Sequence, residues 1–203
     1  MKKIKTILLF VPILSAVAVL SGCSKFNVFP ADVYTVAAQP YRAFNEEDVH
    51  SSECRIDFAD EVSVNGEGAW FCDNDITISE GGIYIITGAY SDGCISITTD
   101  EPVKLIFDNA SILNPSGFAV NSMSQRLVIS AEDGSSALSG SGGDYDTAVY
   151  SAGDVLFVGS GELALDGGIF SVGNIQFGRG TSVFCEILRA QNGYVIPGTL
   201  SIN

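Results

Sequence analysis

The stretch "SEGGIYIITGAYSDGCISI", from Ser79 to Ile97, decides the fold of this chain. It consists of two apolar runs, rich in β-branched and aromatic residues, on either side of Ser91-Asp92-Gly93. Read locally, an Asp-Gly pair between two such runs indicates a β-hairpin. Read as part of a repeat, the same three residues are one corner of a coil, and the downstream sequence distinguishes the two interpretations.

Similar runs follow at regular intervals. They begin at Cys94, Phe118, Thr147 and Ile169, so the steps are 24, 29 and 22 residues, and the longest step carries the insertion "SGSGGDYD". Short strand-like runs with a period in the twenties, and no helical stripes, are typical of a solenoid. We therefore predict an all-β fold, a short right-handed single-stranded parallel β-helix over residues 55–203, in which Ser91-Asp92-Gly93 is a corner.

Alternation within the runs predicts which side chains face the core, since successive side chains of a strand point to opposite faces. The inward set is Val103, Leu105, Phe107, Leu127, Ile129, Val155, Phe157, Ile175 and Phe177. Asn tolerates left-handed turns, so we place Asn109, Asn114, Asn121 and Asn174 at corners. Trp70 precedes the first coil, where it is a candidate cap for the open end of the core or a sugar-binding side chain.

The N-terminal residues resemble a bacterial lipoprotein signal. Three lysines precede a 14-residue apolar run from Ile7 to Leu20, and "LSGC" ends at Cys23. We predict a signal peptide over residues 1–22, lipid attachment at Cys23, and a tether over residues 23–54. The predicted location is extracytoplasmic and membrane-anchored, at the cell surface or in the periplasm. The alternatives are an ordinary signal peptide or a short anchor, for which 14 residues are too few to span a bilayer comfortably.

Charge excludes one class of partner. The formal net charge is -14, and removal of residues 1–22, which contain three lysines and no acid, changes it to -17. Such an acidic surface repels nucleic acid and is suited to binding cations.

The cysteines are less informative about function. Cys54 and Cys72 are open to oxidation in an exported protein, and Cys94 and Cys185 are predicted to be buried and free. The only histidine is His50 and no CxxC pair occurs, which argues against a zinc site.

The order of these runs resembles a bacterial carbohydrate-binding family. The likeness covers residues from about Ile56 to about Glu186 and rests on "ITISEGGIYIITGAYSDGCISI", "VKLIFDNASILN", "AVNS", "LVISAEDGSSALSGS" and "TAVYSAGDVLFVGSGELALDGG". The resemblance implies an exported right-handed parallel β-helix, similar in shape to pectate lyases. It also implies non-catalytic binding of cellulose-like or pectin-like polysaccharide, with bound calcium. Where the family tends to have paired acids, this chain has Gly153-Asp154 and Gly173-Asn174, which implies fewer calcium sites.

Calcium takes six to eight oxygen ligands, which corner loops of adjacent coils can supply. The candidate ligands are Asp144 and Asp146 in "GGDYD", with Asp154 one strand later. Asp92 and Asp166 are weaker candidates, because each precedes a glycine that already explains a turn. The alternative for the "DYD" cluster is a solvated acidic loop.

Sugar rings pack their apolar faces on exposed aromatic side chains. Tyr90, Tyr145 and Tyr150 lie near predicted turns and are the candidate sugar contacts. We therefore expect a membrane-anchored lipoprotein that binds polysaccharide without catalysis, assisted by calcium. The alternatives are an adhesive surface solenoid that contacts proteins and, third, a polysaccharide lyase, which needs a basic residue beside the calcium.

Overall fold

A computed structural model describes residues 49–143, 146–178, 181–191 and 195–196. These residues form sixteen β-strands of one continuous sheet and no α-helix. The described part contains no helix that could cross a membrane. The strands wind into a parallel β-solenoid of about four turns, which confirms the predicted fold class. Cys23, Asp144 and Tyr145 lie outside the described residues.

The first strand begins two residues before the predicted start of the solenoid. In chain order the strands are β1 Glu53–Phe58, β2 Val62–Asn65, β3 Ala69–Cys72, β4 Asp75–Ile78, β5 Gly82–Ser91, β6 Ile95–Ile97, β7 Val103–Asn114, β8 Val120–Ser122, β9 Arg126–Ala131, β10 Ser135–Gly140, β11 Thr147–Ser151, β12 Asp154–Val158, β13 Glu162–Ser171, β14 Ile175–Phe177, β15 Ser182–Ala190 and β16 Val195–Ile196.

Strand pairing defines three parallel faces. Sheet A contains β1, β9, β12, β14, β16 and the first parts of β5 and β7. Sheet B contains β10, the second parts of β5 and β7, and the first parts of β13 and β15. Sheet C contains β4, β6, β8, β11 and the second parts of β13 and β15. Each coil therefore runs from sheet C to sheet A to sheet B.

The register reproduces the repeat seen in the sequence. On sheet C, Ile95 pairs with Val120, Val120 with Val149, and Val149 with Ile169. Those partners are 25, 29 and 20 residues apart, close to the predicted steps of 24, 29 and 22. The insertion before β11 accounts for the longest coil.

The core consists of side chains stacked from coil to coil, as predicted. Val103, Leu127, Val155 and Ile175 occupy one column of sheet A, and Leu105, Ile129, Phe157 and Phe177 occupy the next. All nine residues of the predicted inward set are buried. Neighbouring strands are about 4.8 Å apart, so each side chain contacts its counterparts above and below. Thin coils thereby share one continuous core.

The corner predictions are confirmed in most places. Asp92 has a φ of 66°, and its N–H donates to the carbonyl of Leu113 at 2.8 Å. Gly93 follows because a Cβ there would overlap the ring of Tyr90 and the carbonyl of Asn74. Asn109, with a φ of 49°, marks the bend between the two parts of β7.

Asn121 is the exception. It lies in the middle of β8, so the prediction that it occupies a corner is wrong. Its neighbours Val120 and Ser122 are buried, which places the Asn121 side chain on the outer surface of sheet C. The strand alternation, rather than the turn preference of asparagine, decides its position.

Antiparallel strands and aromatic rings close the N-terminal end of the core. Strand β1 pairs with β2, and β3 pairs with β4, in antiparallel fashion. Tyr90 stacks on Phe58 with ring centroids 4.6 Å apart, and Phe71 meets Tyr90 edge-on at 6.1 Å. Trp70 does not cap the core, because its side chain is 47% exposed. Alternation along β3 turns Trp70 outward and Ala69 toward the core.

The four described cysteines are free. Cys54, which is buried, and Cys72, which is exposed, are therefore not bonded to each other. Cys94 and Cys185 are only half-buried, rather than buried as predicted. Burial, followed by the nearby Asp75 carboxylate, raises the pKa of Cys94 to about 12, and burial raises the pKa of Cys185 to about 11.

We expect Cys72 to react faster with iodoacetamide than Cys94 or Cys185 in the folded protein at pH 8. The thiolate is the reactive form, and the high pKa values of Cys94 and Cys185 leave very little of it at that pH. A hydrogen bond with Asp73 also raises the pKa of Cys72, but Cys72 alone of the three is exposed to the reagent. Labelling of Cys185 should increase as the pH approaches 11. Mass spectrometry of alkylated peptides measures the order, with a urea-unfolded sample as the control in which all four sites react. Fast labelling of Cys94 in the folded protein would contradict the structure.

Candidate functional site

The outer face of sheet C presents a column of side chains that runs the length of the solenoid. Strand register aligns Trp70, Thr77, Ser96, Asn121, Tyr150, Phe170 and Arg189. We call these seven residues the sheet C column. With strands about 4.8 Å apart, its six spacings extend over about 29 Å. None of the seven is acidic, although the chain as a whole is strongly acidic.

Aromatic rings form the C-terminal half of this face. The rings of Tyr150 and Phe170 are parallel to within 5°, with centroids 5.9 Å apart. Phe118, just before β8, lies 5.4 Å from Tyr150 at a tilt of 36°. At these separations the rings are offset rather than directly face to face. Phe118, Tyr150 and Phe170, called here the aromatic strip, therefore form one continuous apolar surface that is partly open to solvent.

Polar residues separate the aromatic strip from a second aromatic contact. Thr77, Ser96 and Asn121 lie between Tyr150 and Trp70, which is nearly half exposed. Four strand spacings, about 19 Å, separate Trp70 from Tyr150. Hydroxyl and amide groups between apolar rings are the combination that holds a ligand with apolar faces and a polar perimeter.

A polar pocket adjoins the aromatic strip at the corner between sheets B and C. Its lining includes Asn114, Ser139, Asp146 and Asp166, which we call the corner pocket. The Ser139 hydroxyl donates to Asp166 Oδ2 at 3.0 Å. The Asn114 amide donates to the carbonyl of Phe118 at 2.9 Å, which connects the pocket to the strip. Both aspartates are exposed, so their carboxylates are accessible to a cation.

The structure separates the two predicted calcium ligands that it describes. Asp146 immediately precedes β11 and Asp154 begins β12, so the five residues of β11, about 17 Å of strand, lie between them. Asp154 Oδ1 accepts hydrogen bonds from the backbone N–H and the side-chain amide of Asn174, at 2.8 and 3.0 Å. Within the described ranges, no three His, Cys, Asp or Glu side chains are grouped to hold a metal ion. The calcium site stays a prediction.

The predicted sugar contacts have different positions. Tyr150 lies in the aromatic strip. Tyr90 lies in the N-terminal cap, where Phe58 covers one face of its ring and its hydroxyl donates to the carbonyl of Asn74 at 2.9 Å. Burial, followed by Asp75 and Asp92, raises the pKa of the Tyr90 hydroxyl. Tyr90 is thus engaged in packing.

The sequence interpretation missed Phe170, Asn121 and the outward position of Trp70 as parts of one surface. A signal for two of them was present in the repeats "CISI", "AVNS", "AVYS" and "GIFS". The third residue of each is Ser96, Asn121, Tyr150 and Phe170 in turn. Aligning the repeats by this tetrapeptide would have placed all four on one outward column.

The fold and this face define a class of protein: a parallel β-solenoid with an outward column of aromatic and polar side chains. Comparison with known families gives the particular family. The model of the carbohydrate-binding domain-containing proteins matches residues 72–185, more than half of the chain, and the chain belongs to that family. The matched range includes the column from Thr77 to Phe170. Comparisons with curated proteins and with solved structures returned no match.

Proposed function

We propose that this protein binds polysaccharide without catalysis, through the sheet C column. The observation that carries the proposal is the register that aligns Trp70, Asn121, Tyr150 and Phe170 on one outward line. An extended glycan lying along the solenoid axis would contact successive coils at each strand spacing. Aromatic rings would contact the apolar faces of its sugars, and the polar side chains would contact its hydroxyls. Family membership supports a carbohydrate as the ligand.

The choice of glycan follows from charge. The sheet C column carries no carboxylate, so it suits a neutral, cellulose-like chain. A pectin-like chain carries its own carboxylates, which the acidic protein surface would repel. Calcium resolves this conflict, because one ion can bridge carboxylates of the protein and the glycan. We include both glycan classes in the proposal, with calcium required only for the acidic one.

A glycan array probed with and without EDTA tests this proposal. We expect retention on cellulose-like chains under both conditions, and on polygalacturonate only when calcium is present. Retention on no glycan under either condition would overturn the proposal. Incubation with polygalacturonate should also leave ultraviolet absorbance unchanged, because a lyase would produce unsaturated products that absorb.

Calcium binding is proposed at the corner pocket together with the adjoining "GGDYD" segment. The described donors are oxygens of Asp146, Asp166 and Asn114, which are ligand types that calcium prefers. Millimolar calcium should raise the melting temperature, since an ion that binds only the folded state stabilises it. The increase should disappear in Asp144→Ala with Asp146→Ala and persist in Asp100→Ala, an exposed acid elsewhere on the surface. No calcium shift in the unsubstituted protein would count against the site.

Anchoring to the membrane through Cys23 completes the proposed function. The lipobox-like "LSGC" supports it, and the acidic surface argues for a covalent anchor rather than adsorption to anionic lipid. Fractionation of cells that express the full chain should find it in the membrane, and Cys23→Ala should move it to the aqueous fraction. Equal membrane association of the two proteins would exclude lipidation as the anchor.

A further inference from the structure

One part of the outer face of sheet A, on β9 and β12, is apolar and covered, unlike the outer face of sheet B. Val128 lies between the inward residues Leu127 and Ile129, so it points outward, yet it is 0% exposed. Leu156 pairs with Val128 in register, also points outward, and is 3% exposed. On sheet B the corresponding outward residues of β13, such as Ala164, are exposed. Other atoms of the chain must therefore cover sheet A at this point.

The sequence of the sheet A strands is consistent with cover on both faces. Parallel strands buried on both sides read as continuous apolar runs, whereas one-sided strands alternate. Continuous apolar runs occur on β9 and β12 of sheet A, "LVIS" and "VLFV", whereas β10 and β13 of sheet B read "SSALSG" and "ELALD". The outward residues Ile85, Ile106, Val128, Leu156 and Val158, called here the apolar patch, lie on adjacent strands, and the outward side chains of Lys104 and Ser130 lie among them.

The chain itself leads to this patch. Val49, the first described residue, packs against Val128 and Leu156, together with Val158. Four residues later the chain enters β1, and the carbonyl of Ser52, just before that strand, accepts a hydrogen bond from the N–H of Ile83 at 2.8 Å. From β9 to β1 is three strand spacings, about 14 Å, which four extended residues can just span. Residues 49–52 therefore run parallel to the solenoid axis, from β9 to β1. The chain that precedes them connects to Val49 at the apolar patch.

We propose that residues 24–48, between the predicted lipidation residue and Val49, dock on the apolar patch of sheet A. This segment contains "VYTVAA" and further aromatic residues, so it has apolar side chains to place there. Its covalent connection at Val49 gives it an effective concentration in the millimolar range, which a separate molecule does not have. Docking shortens the free part of the tether. It also places the tether on sheet A, so that sheet C stays accessible to the ligand. The proposal does not depend on the identity of that ligand.

Photo-crosslinking of the full chain in its host membranes tests this docking. We place p-benzoylphenylalanine at Val158, in the half-exposed part of the patch, and in a second variant at Ile106. The matched control carries it at Ala164, which is exposed on sheet B. Trypsin cleaves after Lys25 and Arg42, so digestion releases the peptide from Phe26 to Arg42. After irradiation and digestion, both patch positions should link to this peptide, and the control should not.

Since Val49 itself packs against the patch, a link only to the next tryptic peptide, Ala43 to Arg55, would report that contact alone and would overturn docking of the segment before it. The other outcomes also overturn the proposal. Isotope-labelled and unlabelled copies mixed before irradiation distinguish links within one chain from links between copies. Links between copies would make the patch a dimer interface, and links to lipid would make it a membrane contact. Absence of any link at both patch positions, in protein whose circular dichroism matches the parent, would show that the segment does not lie there. Two positions keep the test valid if one bulky substitution disturbs folding.

Discussion

Phe157→Ala is expected to lower the free energy of unfolding by about 3–5 kcal/mol. Phe157 is fully buried and stacks on Phe177, with ring centroids 5.2 Å apart. It also pairs in register between Ile129 and Phe177, so its removal leaves a void that three adjacent coils share. Since folded domains are stable by only about 5–15 kcal/mol, this loss is a large part of the total.

Phe184→Ala is the matched control for that substitution. Phe184 is 50% exposed on the outer face of sheet B, in register with Ala164. The same atoms are removed, but little buried contact is lost, so the expected change is within about 0.5 kcal/mol. Urea denaturation followed by circular dichroism measures both variants. Equal losses of the free energy of unfolding in the two variants would show that Phe157 does not occupy a packed core.

The repeating part of the fold was predictable because every coil must bury one face of its short strands in the same way. Alternation along a strand determines which side chains face inward. The parallel register then stacks equivalent residues of successive coils on one another. This is why Leu105, Ile129 and Phe157 could each be assigned to the inward face from spacing alone. The segment before β4 was not predictable in this way, because it occurs once. There the antiparallel pairing of β3 with β4 turns Trp70 outward, and Tyr90 closes the core instead.

The candidate site was predictable only in part, for a related reason. Tyr150 was identified as a single aromatic residue near a turn, whereas its surroundings depend on residues one coil away. Asn121 and Phe170 became relevant only when the coils were stacked in register. For the acidic residues, nearness in sequence was misleading. Asp146 and Asp154 are close in sequence, but β11 separates them. Asp166 is 20 residues from Asp146, yet the two line the same corner pocket. In a solenoid, neighbours in space are one period apart in sequence.

Replacing both Tyr150 and Phe170 by Ala should weaken retention on cellulose-like glycan by about tenfold or more, because centrally placed aromatic contacts in binding sites typically contribute more than about 1.4 kcal/mol. The double variant removes the two parallel rings of the aromatic strip and leaves Asn121 and Trp70 in place. Affinity electrophoresis in gels containing soluble cellulose derivatives measures the change in dissociation constant.

The two rings are half-buried, so loss of binding must be separated from loss of folding. The double variant should keep the circular dichroism of the parent and enough stability to be folded at the assay temperature. Phe184→Ala removes an exposed ring from sheet B and should bind like the parent, which shows that the effect belongs to sheet C rather than to any exposed aromatic. Tyr150→Phe keeps the ring and removes only its hydroxyl, so it should retain most of the binding if the ring face is the contact. Unchanged retention in the folded double variant would place the glycan elsewhere on the solenoid.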